Sequence, residues 1–211
     1  GGKIVGDSGL DITTPRMLNQ DKGVLASRDG LRLSATELFN GGGGLLSSQK
    51  GIDVSLAGAF DNQAGSLDSR GFLTVKSAWL DNQGGTLSSA GALAVTSQGD
   101  LKIAAQAVEL NGKTYAGGSA QIRSAEELVN RQSLAARERI ALDAARLDNA
   151  GVIEAGVEPD ERRNARGDLE LRSGTLRNAG SLVASRALEA KASQALDNQG
   201  GSLKGATVRV D

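Results

Sequence analysis

Residues 80–87 read LDNQGGTL, and residues 196–203 repeat that phrase almost unchanged as LDNQGGSL. Residues 60–67 read FDNQAGSL, and residues 38–45 keep the asparagine followed by a run of glycines. Residues 18–25 form a weaker copy in which Asn19 is displaced by one position. Three shorter copies begin at residues 128, 147 and 176. So many copies of one specific phrase indicate an internal repeat.

The asparagines at the centre of these copies define the period, which is about 20 residues. They are Asn40, Asn62, Asn82, Asn130, Asn149, Asn178 and Asn198. The interval from residue 82 to residue 130 is close to two periods, which indicates an eroded copy within 97–126. The interval from residue 149 to residue 178 is one period plus an insertion. The whole chain, residues 1–211, is therefore predicted to be one repeat array.

Between the copies, apolar residues alternate with polar ones after a small-residue turn, as in GLRLSA at 30–35 and GIDVSL at 51–56. Alternation with a period of two is typical of short strands that are buried on one face. One such unit cannot bury its own apolar face, but stacked units can. A leucine-rich repeat shares this period, but the chain lacks its leucine spacing and its helical return segment. We predict an all-β chain, a parallel β-solenoid of about ten coils of roughly 20 residues each.

Composition supports a narrow aliphatic interior, since aromatic residues make up only 2% of the chain and glycine occurs 29 times. The 24 basic and 25 acidic residues are interspersed, so no basic surface for nucleic acid is indicated. Cysteine is absent, and no apolar stretch is long enough to cross a bilayer. The chain begins and ends within repeat phrases, so we expect neighbouring repeats of a parent chain.

The repeated asparagines are predicted to form a structural ladder at one corner of the coil. Stacked amides can hydrogen-bond along the axis, and asparagine tolerates the left-handed backbone of a sharp turn. A solvent-facing ligand-binding ladder is the alternative. The aspartates at 61, 81, 148 and 197 share one repeat position, but their spacing lacks the dense oxygen ligands of a calcium loop. We therefore predict no metal and no cofactor.

Two segments depart from the repeat and are predicted to be loops, residues 111–118 and residues 154–167. The second is rich in charge and contains Pro159. It is a solvated excursion or a partner-binding loop, and its candidate contact residues are Glu158, Asp160, Glu161, Arg162, Arg163 and Arg166.

Nothing in the sequence predicts catalysis, because histidine and cysteine are absent and no nucleophile or phosphate-binding motif is present. A carbohydrate-active β-helix enzyme is the remaining alternative in that class. Such enzymes stack sugars on aromatic residues, which are scarce here. We predict that the chain is not an enzyme.

The phrase LDNxGGxL and the strand that follows it closely resemble the repeats of filamentous haemagglutinin-type exoproteins, which include adhesins and contact-dependent growth inhibition effectors of the CdiA type. The resemblance implies a right-handed β-helix within a long protein that a partner transporter exports across the outer membrane. It further implies a stalk on a Gram-negative cell surface or in the secreted material, which holds an adhesive or toxin region away from the cell. A host or bacterial cell-surface receptor is an expected partner.

Overall fold

The computed structural model describes residues 1–89, 101–110 and 112–211, and it shows a parallel β-solenoid. Every coil contributes one short strand to a ten-stranded sheet. These strands are β1 (Lys3–Gly6), β3 (Val24–Ser27), β5 (Leu45–Ser48), β8 (Ser66–Ser69), β11 (Thr86–Ser88), β13 (Lys113–Ala116), β15 (Ser133–Ala136), β17 (Val152–Ala155), β19 (Ser181–Ala184) and β21 (Ser202–Lys204). We number coils 1 to 10 by these strands.

The rest of each coil lies in a second, twelve-stranded sheet. Its strands are β2 (Gly9–Leu18), β4 (Gly30–Phe39), β6 (Gly51–Leu56), β7 (Ala59–Asp61), β9 (Phe72–Lys76), β10 (Trp79–Asp81), β12 (Leu101–Leu110), β14 (Ala120–Asn130), β16 (Arg139–Asn149), β18 (Asp168–Asn178), β20 (Ala187–Asp197) and β22 (Thr207–Val210). In coils 3 and 4 this part is split into two strands, whereas coils 5 to 9 keep one strand of ten or eleven residues. Three of the pairings between these longer strands contain a bulge.

Coils pair in parallel, and apart from the shifts at the bulges their register keeps like residues stacked in columns. Met17, Leu38, Phe60 and Leu80 form the start of one column that continues through Val108. Leu25, Leu46, Leu67 and Leu87 form another. The buried members of these columns pack into a single continuous core. The predicted all-β solenoid of about ten coils is confirmed. With strands about 4.8 Å apart, ten coils make a rod of roughly 45 Å.

The alternation read from the sequence matches the burial of the strands. In β4, for example, Leu31, Leu33 and Leu38 are buried while Arg32 and Glu37 face outward. Phe60 is fully buried, whereas Phe72 is 50% exposed and Trp79 is 37% exposed. The described part of the chain contains no helix that could span a membrane.

The predicted loop at 111–118 is wrong for residues 113–116. They form β13, which pairs in parallel with β11 and β15. The glycine-rich composition that suggested a loop belongs to two tight corners that flank this strand, while Thr114 and Ala116 face the core. Residue 111 lies outside the described residues, as do residues 97–100 of the eroded region. The rest of that region is largely strand, in β12 and β14.

The insertion occupies residues 156–167, because Glu154 and Ala155 belong to β17. It lies at the second corner of the coil, between the short strand and the long one. Coil 9 turns this same corner with only two residues, Ser185 and Arg186, between β19 and β20. The stacking of β16 on β18 continues past the insertion in register. The extra residues therefore leave the coil and return to it without disturbing the rod.

Candidate functional site: an asparagine ladder and a docked insertion

The asparagine column is a continuous chain of side-chain hydrogen bonds over most of the rod. In each bond, Nδ2 of one asparagine donates to Oδ1 of the asparagine in the next coil at 2.6–2.8 Å. The bonds join Asn19 to Asn40, Asn40 to Asn62, Asn62 to Asn82, Asn130 to Asn149, Asn149 to Asn178 and Asn178 to Asn198. All seven predicted positions lie at this corner, and Asn19 also takes part.

Most of these amides are buried, which makes their pairing energetically important. Asn40, Asn62, Asn82, Asn130 and Asn149 are fully buried, and each also donates to a backbone carbonyl of its own or a neighbouring corner. A buried amide without partners would cost about 1–3 kcal/mol. Because these five side chains have no exposed surface, they do not form the solvent-facing ligand-binding ladder that was the alternative.

From the sequence, the asparagines are expected to suit a left-handed backbone at the corner. None of them has a positive φ angle among the described residues. Positive φ angles occur instead at the residues that follow, including Asp21, Lys22, Ala64, Gly84 and Gly200. The asparagine is required because its amide can donate and accept along the axis at once. The glycine that closes the corner is required by space, since a Cβ on Gly65 would lie 2.1 Å from the backbone oxygen of Asn40.

The corner varies in length without breaking the ladder. The next inward apolar residue follows the asparagine by six positions in coils 1 and 2, by five in coils 3, 4 and 9, and by four in coils 6 to 8. The asparagine side chain sits on the inner side of the turn, so extra residues bulge outward. This is why sequence spacing alone placed Asn19 out of line, although the structure places it in the column.

The aspartate that precedes the asparagine caps the longer corners. Oδ1 of Asp61, Asp81 and Asp197 accepts from the backbone N–H two residues later, at 2.8–3.0 Å. Asp81 also accepts from the Gln63 side chain of the preceding coil at 2.8 Å. Sequence reasoning missed this role, although Asp at the start of a turn is a known signal. Among the described residues, no cluster of acidic side chains is arranged to hold a metal ion.

The ladder is interrupted at coil 5, where Leu110 stands in register with Asn130. A leucine offers no donor, and Oδ1 of Asn130 is buried without a hydrogen-bond partner in the described part of the chain. In the next strand Thr114 occupies the leucine column between Leu87 and Leu134, and its buried hydroxyl also lacks a partner. At this corner an apolar residue, Leu110, therefore occupies the asparagine column, and a polar residue, Thr114, occupies the leucine column.

We expect the double change Leu110→Asn and Thr114→Leu to stabilise the chain by about 2 kcal/mol. The amide at position 110 would donate to the unpaired Oδ1 of Asn130, the unpaired Thr114 hydroxyl would be lost, and the total volume would be roughly conserved. Urea unfolding of the 211-residue chain measures this. Thr114→Val alone is the control and should yield about half of the gain, since it removes only the hydroxyl. A double variant less stable than the parent chain would show that the exchange is favourable as it stands.

The insertion is a folded structure with most of its charges paired. Arg163 pairs with Glu154, and Arg162 pairs with Asp160. The carboxylate of Glu158 lies 3.0 Å from Nε of Arg137 and 3.2 Å from Nη2 of Arg166. Of the six predicted contact residues, five are therefore engaged in ion pairs, and only the Glu161 side chain has no ion-pair partner among the described residues. Asp160, Glu161, Arg162, Arg163 and Arg166 are exposed, whereas Glu158 is partly covered.

Tyr115 ties the insertion to the rod from two coils away. Its hydroxyl donates to the Val157 backbone oxygen at 3.0 Å. Burial, with a smaller contribution from the Glu158 carboxylate, raises the pKa of Tyr115 to about 12. The phenol stays protonated in the folded state beyond its ordinary range, so its contribution to stability is complete below about pH 10 and is lost as pH rises through about 12. Nothing in the sequence spacing pointed to this contact.

Comparison with known protein families gives one consistent result. Residues 1–64, 52–105, 111–159 and 164–211 each match the haemagglutinin repeat family, which leaves only short gaps. No curated protein and no solved structure matches the chain. The matched segments span the asparagine ladder on both sides of Leu110.

Proposed function

Because the chain belongs to the haemagglutinin repeat family, we propose that it is a rigid stalk segment of a large secreted bacterial surface exoprotein, and that it holds an adhesive or toxin region away from a Gram-negative cell. Repeats of this family in a β-solenoid fit a structural filament segment of a secreted exoprotein. The observation that carries the proposal is the ladder of buried asparagines, which joins successive coils by side-chain hydrogen bonds on both sides of Leu110.

The proposal includes neighbouring repeats of the parent chain, stacked on coils 1 and 10. In coil 1 the inward residues Leu10, Ile12 and Met17 are only partly buried, and in coil 10 Val208 and Val210 are each 46% exposed. Neighbouring repeats of the parent chain would cover these residues and pair with the strand edges. The proposal also includes export by an outer-membrane partner transporter. The absence of cysteine is compatible with that route, since no disulfide would obstruct passage of an unfolded chain.

Removal of one whole coil tests the stalk role. Deleting residues 181–201 from the parent exoprotein places Ser202 where Ser181 stood, because these two residues are in register. We expect secretion and the activity of the presented region to persist, with a filament shorter by about 4.8 Å. Electron microscopy and an adhesion or growth-inhibition assay measure the two effects. Loss of activity at unchanged secretion would contradict a purely structural role.

A second candidate function is receptor binding by the insertion, which the exposure of Asp160, Arg162 and Arg163 favours. The labelled 211-residue chain is incubated with target cells and compared with an Asp160→Ala/Glu161→Ala/Arg162→Ala variant. These three residues lie at the tip and, among the described residues, form no hydrogen bond or ion pair with other coils, so the variant should fold normally. Under the stalk proposal capture is absent or unchanged, whereas a clear loss of capture would favour the binding function. The carbohydrate-active alternative predicts cleavage of a polysaccharide panel, for which no observation argues.

A further inference from the structure

The insertion forms contacts with coils on both sides of its own. Tyr115 in coil 6 donates to Val157, as described above. Asn164 Nδ2 donates to the Arg137 backbone oxygen of coil 7 at 2.8 Å, and Arg137 faces Glu158 with its side chain only 17% exposed. On the other side, the Gly167 N–H donates to the Ser185 hydroxyl of coil 9 at 2.8 Å. Residues 156–167 thus connect coils 6, 7, 8 and 9.

The two ends of the insertion are packed against the rod. Gly156 and Gly167, where it leaves and rejoins the coil, are buried, and Gly156 has a φ of 96°. A Cβ there would lie 2.1 Å from the Ser185 hydroxyl. Asn164 closes the loop on itself, since its N–H donates to the Gly156 oxygen and its amide donates to Glu158, at 2.8 and 2.9 Å. These hydrogen bonds within the loop hold it in the conformation that contacts the rod.

The position of these contacts along the rod has a physical consequence. Coil 6 adjoins the interrupted ladder, and Tyr115 is the residue after Thr114, whose buried hydroxyl is unpaired. In a solenoid each coil is held mainly by its nearest neighbours, so a weak interface favours local opening at that point. The contact from coil 8 to coil 6 does not cross that interface, but it bypasses the nearest neighbour and holds coil 6 to the coils that follow.

We propose that residues 156–167 act as a clamp that holds coils 6 to 9 together as one cooperative unit beside the interruption at Leu110. The clamp supplies axial connections at the second corner of coils 6 to 9, in addition to the amide bonds that join the same coils at the first corner. Its partners are the rod's own residues, with Tyr115 and Arg137 as the main anchor points. The tip residues 160–162 lie outside this role.

Hydrogen exchange of backbone amides in the 211-residue chain tests the clamp. Tyr115→Phe keeps the ring and removes one hydrogen bond, so we expect amides of β13 and β15 to exchange about three- to tenfold faster. Replacing residues 156–167 by Ser-Arg, the turn that coil 9 uses, removes all clamp contacts and should accelerate the same amides by about 100-fold. Amides in β3 and β5, far along the rod, should not change.

The Asp160→Ala/Glu161→Ala/Arg162→Ala variant is the matched control and should leave exchange in β13 and β15 unchanged. If the Tyr115→Phe and Ser-Arg variants exchange like the parent chain in coils 6 and 7, the insertion is a passive excursion and the proposal is wrong. Equal acceleration in the tip variant would also overturn it, because the effect would then not depend on the anchoring contacts. The Tyr115→Phe variant preserves packing and remains informative even if the loop replacement fails to fold.

Discussion

Phe60→Ala is expected to lower the free energy of unfolding by about 3–5 kcal/mol. Phe60 is fully buried between Leu38 and Leu80 of the adjacent coils. It is the one aromatic side chain among the described residues that is wholly inside the rod. Alanine would leave a cavity that neighbouring coils cannot close, since their backbones are fixed at the strand spacing. Urea unfolding followed by circular dichroism measures the loss.

Phe72→Ala is the matched control for this change. Phe72 is 50% exposed and lies over Gly51 on the outside of the rod. Its removal should cost less than about 1 kcal/mol, because little apolar area returns to water. Similar losses for the two variants would contradict the division into an inward column and an outward face on which the description of the core depends.

Asn62→Ala is expected to cost about 3 kcal/mol, the second large effect. Asn62 accepts from Asn40 at 2.7 Å and donates to Asn82 at 2.6 Å, and all three amides are fully buried. Alanine would leave the Asn82 oxygen without its donor and would take away the acceptor of Asn40, so the penalty includes two partners as well as the residue itself. Equilibrium unfolding in urea measures this change.

Asn198→Ala provides the comparison within the same ladder. Asn198 is partly exposed and accepts a single ladder bond, from Asn178, so its replacement should cost about 1 kcal/mol. A gradient from the middle of the ladder to its end follows from the hydrogen-bond geometry. If both variants lost the same amount, the amides would contribute independently, and a cooperative ladder would not describe this corner.

The period, the parallel solenoid and the position of the asparagine corner followed from the sequence, because each coil repeats the same local problem. A strand of alternating residues must bury one face, and the only partner that repeats at the same interval is the next coil. The phrase around Asn82 therefore predicts the period and the asparagine corner without tertiary information. The strand at residues 113–116 could not be predicted in this way, because the glycines on either side of it suggested a loop. They form two ordinary corners around a short strand.

Side-chain roles that depend on neighbours in other coils were less visible. The asparagines were expected to adopt left-handed backbone angles, but those angles fall on later residues such as Ala64. Asn19 is out of line in the sequence because the corner that follows it is longer and bulges outward, which only the structure shows. The charge of the insertion predicts partner-binding residues, but the structure pairs most of those charges with each other or with Glu154 and Arg137.

The sequence by itself determined that the chain is a stack of β-coils with asparagine at one corner, because hydrophobic alternation and period are local properties that stacking simply repeats. Only the tertiary structure decided that Leu110 interrupts the asparagine ladder and that residues 156–167 dock on Tyr115. Both depend on register across coils, which brings together residues from 20 to 42 positions apart. Distances of that kind are set by how the coils pack, and no local pattern encodes them.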